Sequence, residues 1–106
     1  MNLKRTLGLA AVAATILLAG CERPVDSVED AGAALATEKG CVACHGLNGK
    51  GTIPMNPTIA GQWPSYLRTQ LQKYRDNERI NAIMNGQAAS LTDADIDLLA
   101  AYYASR

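Results

Sequence analysis

Phenylalanine is absent from this 106-residue chain, histidine occurs once, and cysteine occurs only three times. The odd number of cysteines argues against a framework built only of disulfides. Basic and acidic residues balance at ten each, so nothing indicates the clustered basic face that a nucleic-acid partner requires. A chain this short buries a limited fraction of its surface, and a bound group would help to stabilise it.

Long apolar runs are also missing, with one exception near the N-terminus. Residues 7–18 are apolar or small, and Lys4 and Arg5 precede them. Crossing a bilayer takes about 20 apolar residues, so this run is short for a membrane span and is typical of an export signal. The sequence predicts that residues 1–20 are a cleaved signal peptide; a short membrane anchor that is never cut is the alternative.

The predicted signal ends at Leu18-Ala19-Gly20-Cys21, which resembles the lipobox of bacterial lipoproteins. The resemblance implies that Cys21 is lipid-modified and becomes the first residue of the mature chain. It places the protein on the periplasmic side of a bacterial membrane, and Glu22 after the cysteine favours the outer membrane. At an ordinary signal-peptidase site Cys21 would be a free thiol, which is a liability in an oxidising compartment.

The remainder divides into a polar, lipidated tether, residues 21–28, and one domain, residues 29–106. Without the signal peptide the chain has eight basic and ten acidic side chains, hence a formal charge of −2. Ser27 begins a capping box, which predicts an alanine-rich helix that ends near Gly40. Residues 46–61 hold eight glycine, proline and asparagine residues, which predicts a long loop wrapped around something.

The C-terminal half predicts three more helices. The first begins at Pro64, in a position that suits a first helical turn, and stops at Asp76. The second covers residues 79–85 and is closed by Gly86. The third begins with a capping box at Thr92. No strand of credible length is present, so the predicted class is all-α.

The most informative motif is Cys41-Val42-Ala43-Cys44-His45, the attachment signal of c-type haem. Positions three and four apart share one face of a helical turn, so both thiols can form thioethers with vinyl groups along one haem edge. His45 then presents its imidazole to the iron from the same side. The motif predicts one covalently bound haem c.

Three other interpretations of the cysteines are weaker. A structural zinc site normally has four nitrogen or sulfur ligands, and only Cys41, Cys44 and His45 are clustered. A thioredoxin-like redox pair needs a βαβ context, which the chain lacks. A small disulfide between Cys41 and Cys44 is the third alternative.

The second axial position of a haem iron takes methionine or histidine, or stays open. No other histidine exists, so Met55 and Met84 are the candidates. Met55 lies ten positions beyond His45, and the chain would have to round the haem within a short loop. Met84 lies 39 positions away with a helix between, which favours Met84 as the ligand. A core-packing role is the alternative for either methionine.

From Cys41 onward the chain resembles the small class I cytochromes c, and most of all one half of the dihaem c-four type. The resemblance implies the small class I cytochrome c fold, with three to five helices wrapped around one covalently bound haem. It rests on Cys41-Val42-Ala43-Cys44-His45-Gly46, Pro57-Thr58-Ile59-Ala60-Gly61-Gln62, Tyr66-Leu67, Gln70-Leu71, Met84-Asn85-Gly86, Leu91-Thr92-Asp93 and Leu99-Ala100-Ala101-Tyr102-Tyr103.

The resemblance also implies roles for single residues. Met84, in the Met-x-Gly segment, is the axial ligand, and Gln87 stands where relatives often have a second methionine. The carbonyl of Pro57 accepts a hydrogen bond from the axial histidine. Arg79, and with it Trp63 and Tyr66, are candidates for contacting the haem propionates; a core or surface role is the alternative for each.

The resemblance further implies that Gly32 lets the first helix approach Tyr102 or Tyr103 of the last helix. The predicted function is a membrane-anchored electron carrier between redox proteins, not an enzyme, because a six-coordinate iron has no open site. Two alternatives remain. The protein could be a haem subunit of a larger oxidoreductase, or a haem enzyme or gas sensor with an open iron.

Overall fold

A computed structural model describes residues 24–106, so the predicted signal peptide and Cys21 lie outside the described residues. The helices within this range are α1 (Pro24–Glu38), α2 (Cys41–His45), α3 (Pro64–Arg75), α4 (Ala82–Ala88) and α5 (Asp93–Ala104). No strand occurs between residues 24 and 106. The predicted all-α class is confirmed, and the number of helices lies within the expected three to five.

The first helix starts earlier than the sequence predicts. It begins at Pro24, so Ser27 lies inside α1, and residues 24–28 of the predicted tether are helical. Proline suits the first turn of a helix because the N–H that it lacks would have no partner there. The helix ends near Gly40, as expected: its last residue is Glu38, and Gly40 has a left-handed φ of 78°.

The third helix begins and ends where it was predicted. Pro64 is its first residue, and Asp76 follows its last turn. The fourth helix differs from its prediction, because it covers Ala82–Ala88 and contains Gly86 instead of ending there. The helix continues past Gly86 to Ala88, which is fully buried, and we attribute the longer helix to this burial.

The capping box at the start of α5 is confirmed. The N–H of Asp95 donates to Thr92 Oγ1 at 3.1 Å, and the N–H of Thr92 donates to Asp95 Oδ2 at 3.0 Å. The second of these bonds holds the pKa of the Asp95 carboxyl below its usual range. Removing an N-cap side chain of this kind typically costs about 0.5–2 kcal/mol of stability.

The last helix forms the centre of the domain and packs against both α1 and α3. Five residues of α5 are buried, namely Ile96, Leu99, Ala100, Tyr102 and Tyr103. The buried core consists of Ala36, Leu67, Ala88, Leu91, Ile96, Leu99, Ala100, Tyr102 and Tyr103.

The contact between α1 and α5 depends on a glycine. A Cβ atom on Gly32 would lie 2.5 Å from Tyr102 Cβ, so only a residue without a side chain allows this approach. The expected pairing of Gly32 with one of the two tyrosines is therefore seen, and the partner is Tyr102. At the end of the same interface, Arg106 pairs with Glu29 and its guanidinium lies 4.5 Å above the Tyr102 ring.

None of the helices between residues 24 and 106 has the length and apolar character needed to cross a membrane.

Candidate functional site

The two cysteines and the histidine of the motif are presented by the five-residue helix α2. Cys41 and Cys44 are both half-buried and are not joined by a disulfide. Burial raises the pKa of the Cys41 thiol, so the free side chain stays protonated, and conversion to a thioether removes the titrating group. His45 is buried, with 8% of its surface exposed.

The ring of His45 is oriented by the loop that follows it. Its Nδ1 lies 2.9 Å from the carbonyl oxygen of Pro57, the residue that the resemblance implied. A carbonyl can only accept, so Nδ1 carries the hydrogen and donates it. In the neutral imidazole Nε2 then keeps a lone pair, which is the state of the ring that binds a metal.

The loop that carries Pro57 is folded back on α2 by hydrogen bonds. The N–H of Gly51 donates to the carbonyl of His45 at 3.0 Å, and the N–H of Thr52 donates to that of Cys44 at 2.9 Å. Gly51 has a φ of 81°, and a Cβ there would lie 2.2 Å from the carbonyl oxygen of Asn56. The predicted loop therefore has a defined structure that holds the Pro57 carbonyl in place.

Two tyrosines of α5 attach the same loop to the core, and no pattern in the sequence predicts these contacts. The hydroxyl of Tyr102 donates to the carbonyl of Leu47 at 2.8 Å, and that of Tyr103 donates to the carbonyl of Gly46 at 3.1 Å. Burial strongly raises the pKa of the Tyr103 phenol, so it remains a donor throughout the neutral range. The only signal in the sequence is that buried tyrosine hydroxyls need partners.

A cavity opens beside α2 and is lined by both proposed axial residues. It encloses about 810 Å³, including the solvent at its open side. The wall holds His45 from α2 and Met84 from α4, whereas Met55 is 88% exposed and does not line the cavity.

The rest of the wall is mostly apolar, with a few polar side chains. Arg79 lines it, and its guanidinium lies 4.8 Å above the ring of Tyr74 and donates to Gln70 Oε1 at 2.8 Å. Tyr66 also lines the cavity, but Trp63 does not and is 81% exposed. The cavity is lined by Cys41, His45, Pro57, Thr58, Ile59, Gln62, Tyr66, Leu67, Gln70, Leu71, Tyr74, Arg79, Met84, Leu99, Ala100 and Tyr103.

This set of residues fits a haem. A large apolar macrocycle needs an apolar wall, which the aliphatic side chains of α3 and α5 supply. An iron at its centre needs ligands, and the cavity contains an imidazole with a free Nε2 and a methionine thioether. Covalent attachment needs thiols beside the wall; Cys41 lines the cavity, and Cys44 lies three residues further along α2.

Comparison with known proteins identifies the family. The family model described as cytochrome c matches residues 29–105, and the chain belongs to that family. Cytochrome c-554(548) of Halomonas halodenitrificans is 44% identical over 69 residues, which are 62% of this chain and 83% of that protein. A thiosulfate dehydrogenase electron acceptor of Thiomonas intermedia is 42% identical over 64 residues, 59% of this chain but only 30% of that protein.

The fold comparison agrees with the sequence comparison. The structure of cytochrome c4 from Acidithiobacillus ferrooxidans matches with a TM-score of 0.67 and 32% identity, over 76% of this chain and 50% of that chain. The chain is therefore a class I cytochrome c with the fold of the cytochromes c4. Its Cys41-Val42-Ala43-Cys44-His45 motif carries one covalently bound haem c.

Proposed function

We propose that this protein is a membrane-anchored carrier of single electrons whose haem iron is held by His45 and Met84. The observation that carries the proposal is that these two side chains line the same cavity, whereas Met55 lies at the surface. The sequence contains no second histidine to compete for the iron. A histidine and methionine pair favours a higher reduction potential and leaves no position open for substrate chemistry.

When bound, the haem would supply an iron that gains and loses one electron, and residues of this chain would position its ligands. Pro57 fixes the orientation of the His45 ring through the Nδ1 hydrogen bond. The apolar wall keeps water away from one side of the site. Arg79 and Tyr66 line the cavity and are proposed to face the propionates, whereas the exposed position of Trp63 gives it no support for this role.

The test is the visible spectrum of the full-length protein, produced with its haem attached, in the oxidised and reduced states. We expect the weak far-red band of a methionine–iron(III) bond and no rapid binding of carbon monoxide to the reduced form. An open iron would bind carbon monoxide readily and lack the band. That result would replace the carrier with the haem enzyme or gas sensor.

The lipid anchor is proposed from the sequence, since Cys21 and the signal peptide lie outside the described residues. We expect the native protein to sediment with membranes. We expect Cys21→Ala, secreted behind an ordinary signal peptide that is cut without lipidation, to appear in the soluble periplasmic fraction with its haem still attached. The physical reason is that the domain between residues 24 and 106 offers no helix able to cross a membrane. If this Cys21→Ala protein still sediments with membranes, a lipid on Cys21 is not what anchors the chain. Separating the two membranes of the wild type tests the proposed outer-membrane location.

The partners are proposed to be redox proteins, because a carrier needs a donor and an acceptor. One relative is named as the electron acceptor of a thiosulfate dehydrogenase, which is compatible with such a role. A permanent subunit of a larger oxidoreductase is the second candidate, and it is favoured by eight large apolar side chains that are exposed within the described part of the chain. These exposed residues are Val28, Leu47, Ile53, Met55, Trp63, Tyr66, Ile80 and Ile83. Gentle solubilisation followed by native mass measurement separates the two, because a permanent subunit leaves the membrane in a stoichiometric complex.

A further inference from the structure

Asn85 follows Met84 in the sequence. Its side-chain amide forms hydrogen bonds with the backbone of α3 and of the segment that connects α3 to α4. Its Nδ2 donates to the carbonyls of Tyr74 and Arg79, both at 2.8 Å. Its Oδ1 accepts from the N–H of Asn81 at 2.7 Å. An amide has two N–H donors and one oxygen, and this side chain uses all three groups.

The connection that Asn85 holds is irregular and folds back on the end of α3. Asn77 has a left-handed φ of 57°, and the N–H groups of Glu78 and Arg79 donate to the carbonyl of Lys73 at 2.8 and 3.1 Å. These bonds close the turn on the α3 side. On the α4 side the turn is held by the Asn85 amide and by the Asn81 side chain, which caps α4.

The helix that carries Met84 is only seven residues long, and a helix of this length is marginal without tertiary support. The Asn81 side chain caps it by accepting from the N–H of Met84 at 3.0 Å. The N–H of Asn85 donates in turn to the carbonyl of Asn81 at 2.8 Å. The first turn of α4 is thus fixed at Asn81, and Asn81 is itself fixed to the preceding segment through Asn85.

We propose that Asn85 is a positioning residue that keeps the Met84 thioether in the cavity, and thereby on the iron. This inference rests on the proposed His45 and Met84 coordination. Asn85 does not line the cavity, so it would act only through the backbone that it braces. Loss of its three hydrogen bonds frees the start of α4 to move and raises the fraction of molecules in which the methionine has left.

Imidazole is a suitable probe, because it binds the oxidised iron only when the methionine is displaced. Its apparent affinity is therefore proportional to the fraction of molecules with a displaced methionine. The haem-bearing full-length protein is titrated with imidazole while the far-red band is followed. For Asn85→Ala we expect the imidazole concentration at half-saturation to fall by roughly tenfold, equivalent to about 1.4 kcal/mol.

Asn85→Asp is the second variant and is nearly identical in size. It keeps an oxygen for the N–H of Asn81 but places another oxygen against the carbonyls of Tyr74 and Arg79. We expect it to bind imidazole more tightly than the wild type as well. If Asn85→Ala does not yield folded protein, imidazole binding by Asn85→Asp alone tests the positioning role.

Two control variants separate positioning from general destabilisation. Gln87→Ala alters an exposed residue of α4 outside the hydrogen-bond network of Asn85. Thr92→Ala removes the N-cap of α5 and lowers the stability of the whole domain. We expect imidazole binding to be unchanged in both.

The outcomes are distinguishable. A far-red band in the wild type, with tighter imidazole binding in the Asn85 variants alone, supports the positioning role. A band in the wild type with wild-type binding in Asn85→Asp overturns that role and leaves the coordination intact. Equal tightening in Thr92→Ala also overturns it, because general loosening would then suffice. If the wild type lacks the band, Met84 is not a ligand of the iron, and the proposed role of Asn85 fails as well.

Discussion

Met84→Ala is expected to abolish the far-red band of the oxidised protein and to open the iron to carbon monoxide and imidazole. With the proposed His45 and Met84 coordination, an incoming ligand has to displace the methionine thioether of the wild type, and in the variant it has no such competitor. If the methionine is bound in 99% of molecules or more, apparent imidazole affinity rises by at least roughly a hundredfold. The reduction potential is expected to fall as well, because methionine raises it relative to stronger donors. Absorption spectra, imidazole titration and potentiometry measure these effects.

Met55→Ala is the matched control, because it makes the same change at the other methionine of the domain. This side chain is 88% exposed and does not line the cavity, so the band, the ligand affinity and the potential should stay at wild-type values. Loss of the band in Met55→Ala alone would transfer the ligand role to Met55. Loss in neither variant would show that the sixth position is not filled by a methionine.

Gly32→Val is expected to destabilise the domain by about 3 kcal/mol or more, near or above the top of the range for overpacked cores. Even the first added atom would lie 2.5 Å from Tyr102 Cβ and 2.7 Å from two ring carbons. Tyr102 cannot move aside freely, since it is buried and its hydroxyl is bonded to Leu47. The variant therefore has to separate α1 from α5. Guanidinium denaturation of the haem-bearing protein, analysed by linear extrapolation, measures the loss.

Gly86→Ala is the control for the intrinsic effect of replacing a helical glycine. Apart from its chain neighbours and the backbone of its own helix, no atom of residues 24–106 lies within 4 Å of a Cβ built on Gly86, so the added methyl group meets no other part of the domain. Alanine is favoured over glycine inside a helix by roughly 0.5–1 kcal/mol, and we expect a small gain in stability. Wild-type stability in Gly32→Val would show that α1 and α5 do not depend on close contact.

The haem site and the hydrophobic core share their residues. Leu67, Leu99, Ala100 and Tyr103 belong to the buried core and also line the cavity. The helices α3 and α5 therefore enclose a space that the chain's own side chains do not fill. In a small domain without phenylalanine, a covalently held haem completes this core and stabilises the folded state that binds it.

The sequence alone was sufficient for features that depend on neighbouring residues. The capping box at Thr92 and the start of a helix at Pro64 are decided by side chains within one helical turn. The haem attachment motif can also be recognised from neighbouring residues alone, because the spacing of Cys41, Cys44 and His45 lets both thiols reach one edge of the haem. The local pattern gave a wrong prediction at the start of α1. The capping box at Ser27 predicted that the helix begins there, whereas one continuous helix begins at Pro24.

The tertiary structure decided which distant residues meet. The bonds from the Tyr102 and Tyr103 hydroxyls to the loop after His45 join residues 55 and 57 positions apart, and no periodicity reports such pairs. The hydrogen bonds that Asn85 donates to the backbone before Met84 cannot be predicted from the sequence for the same reason. Their acceptors are backbone carbonyls. A carbonyl is present at every residue, and only the fold determines which of them comes within reach of a given side chain.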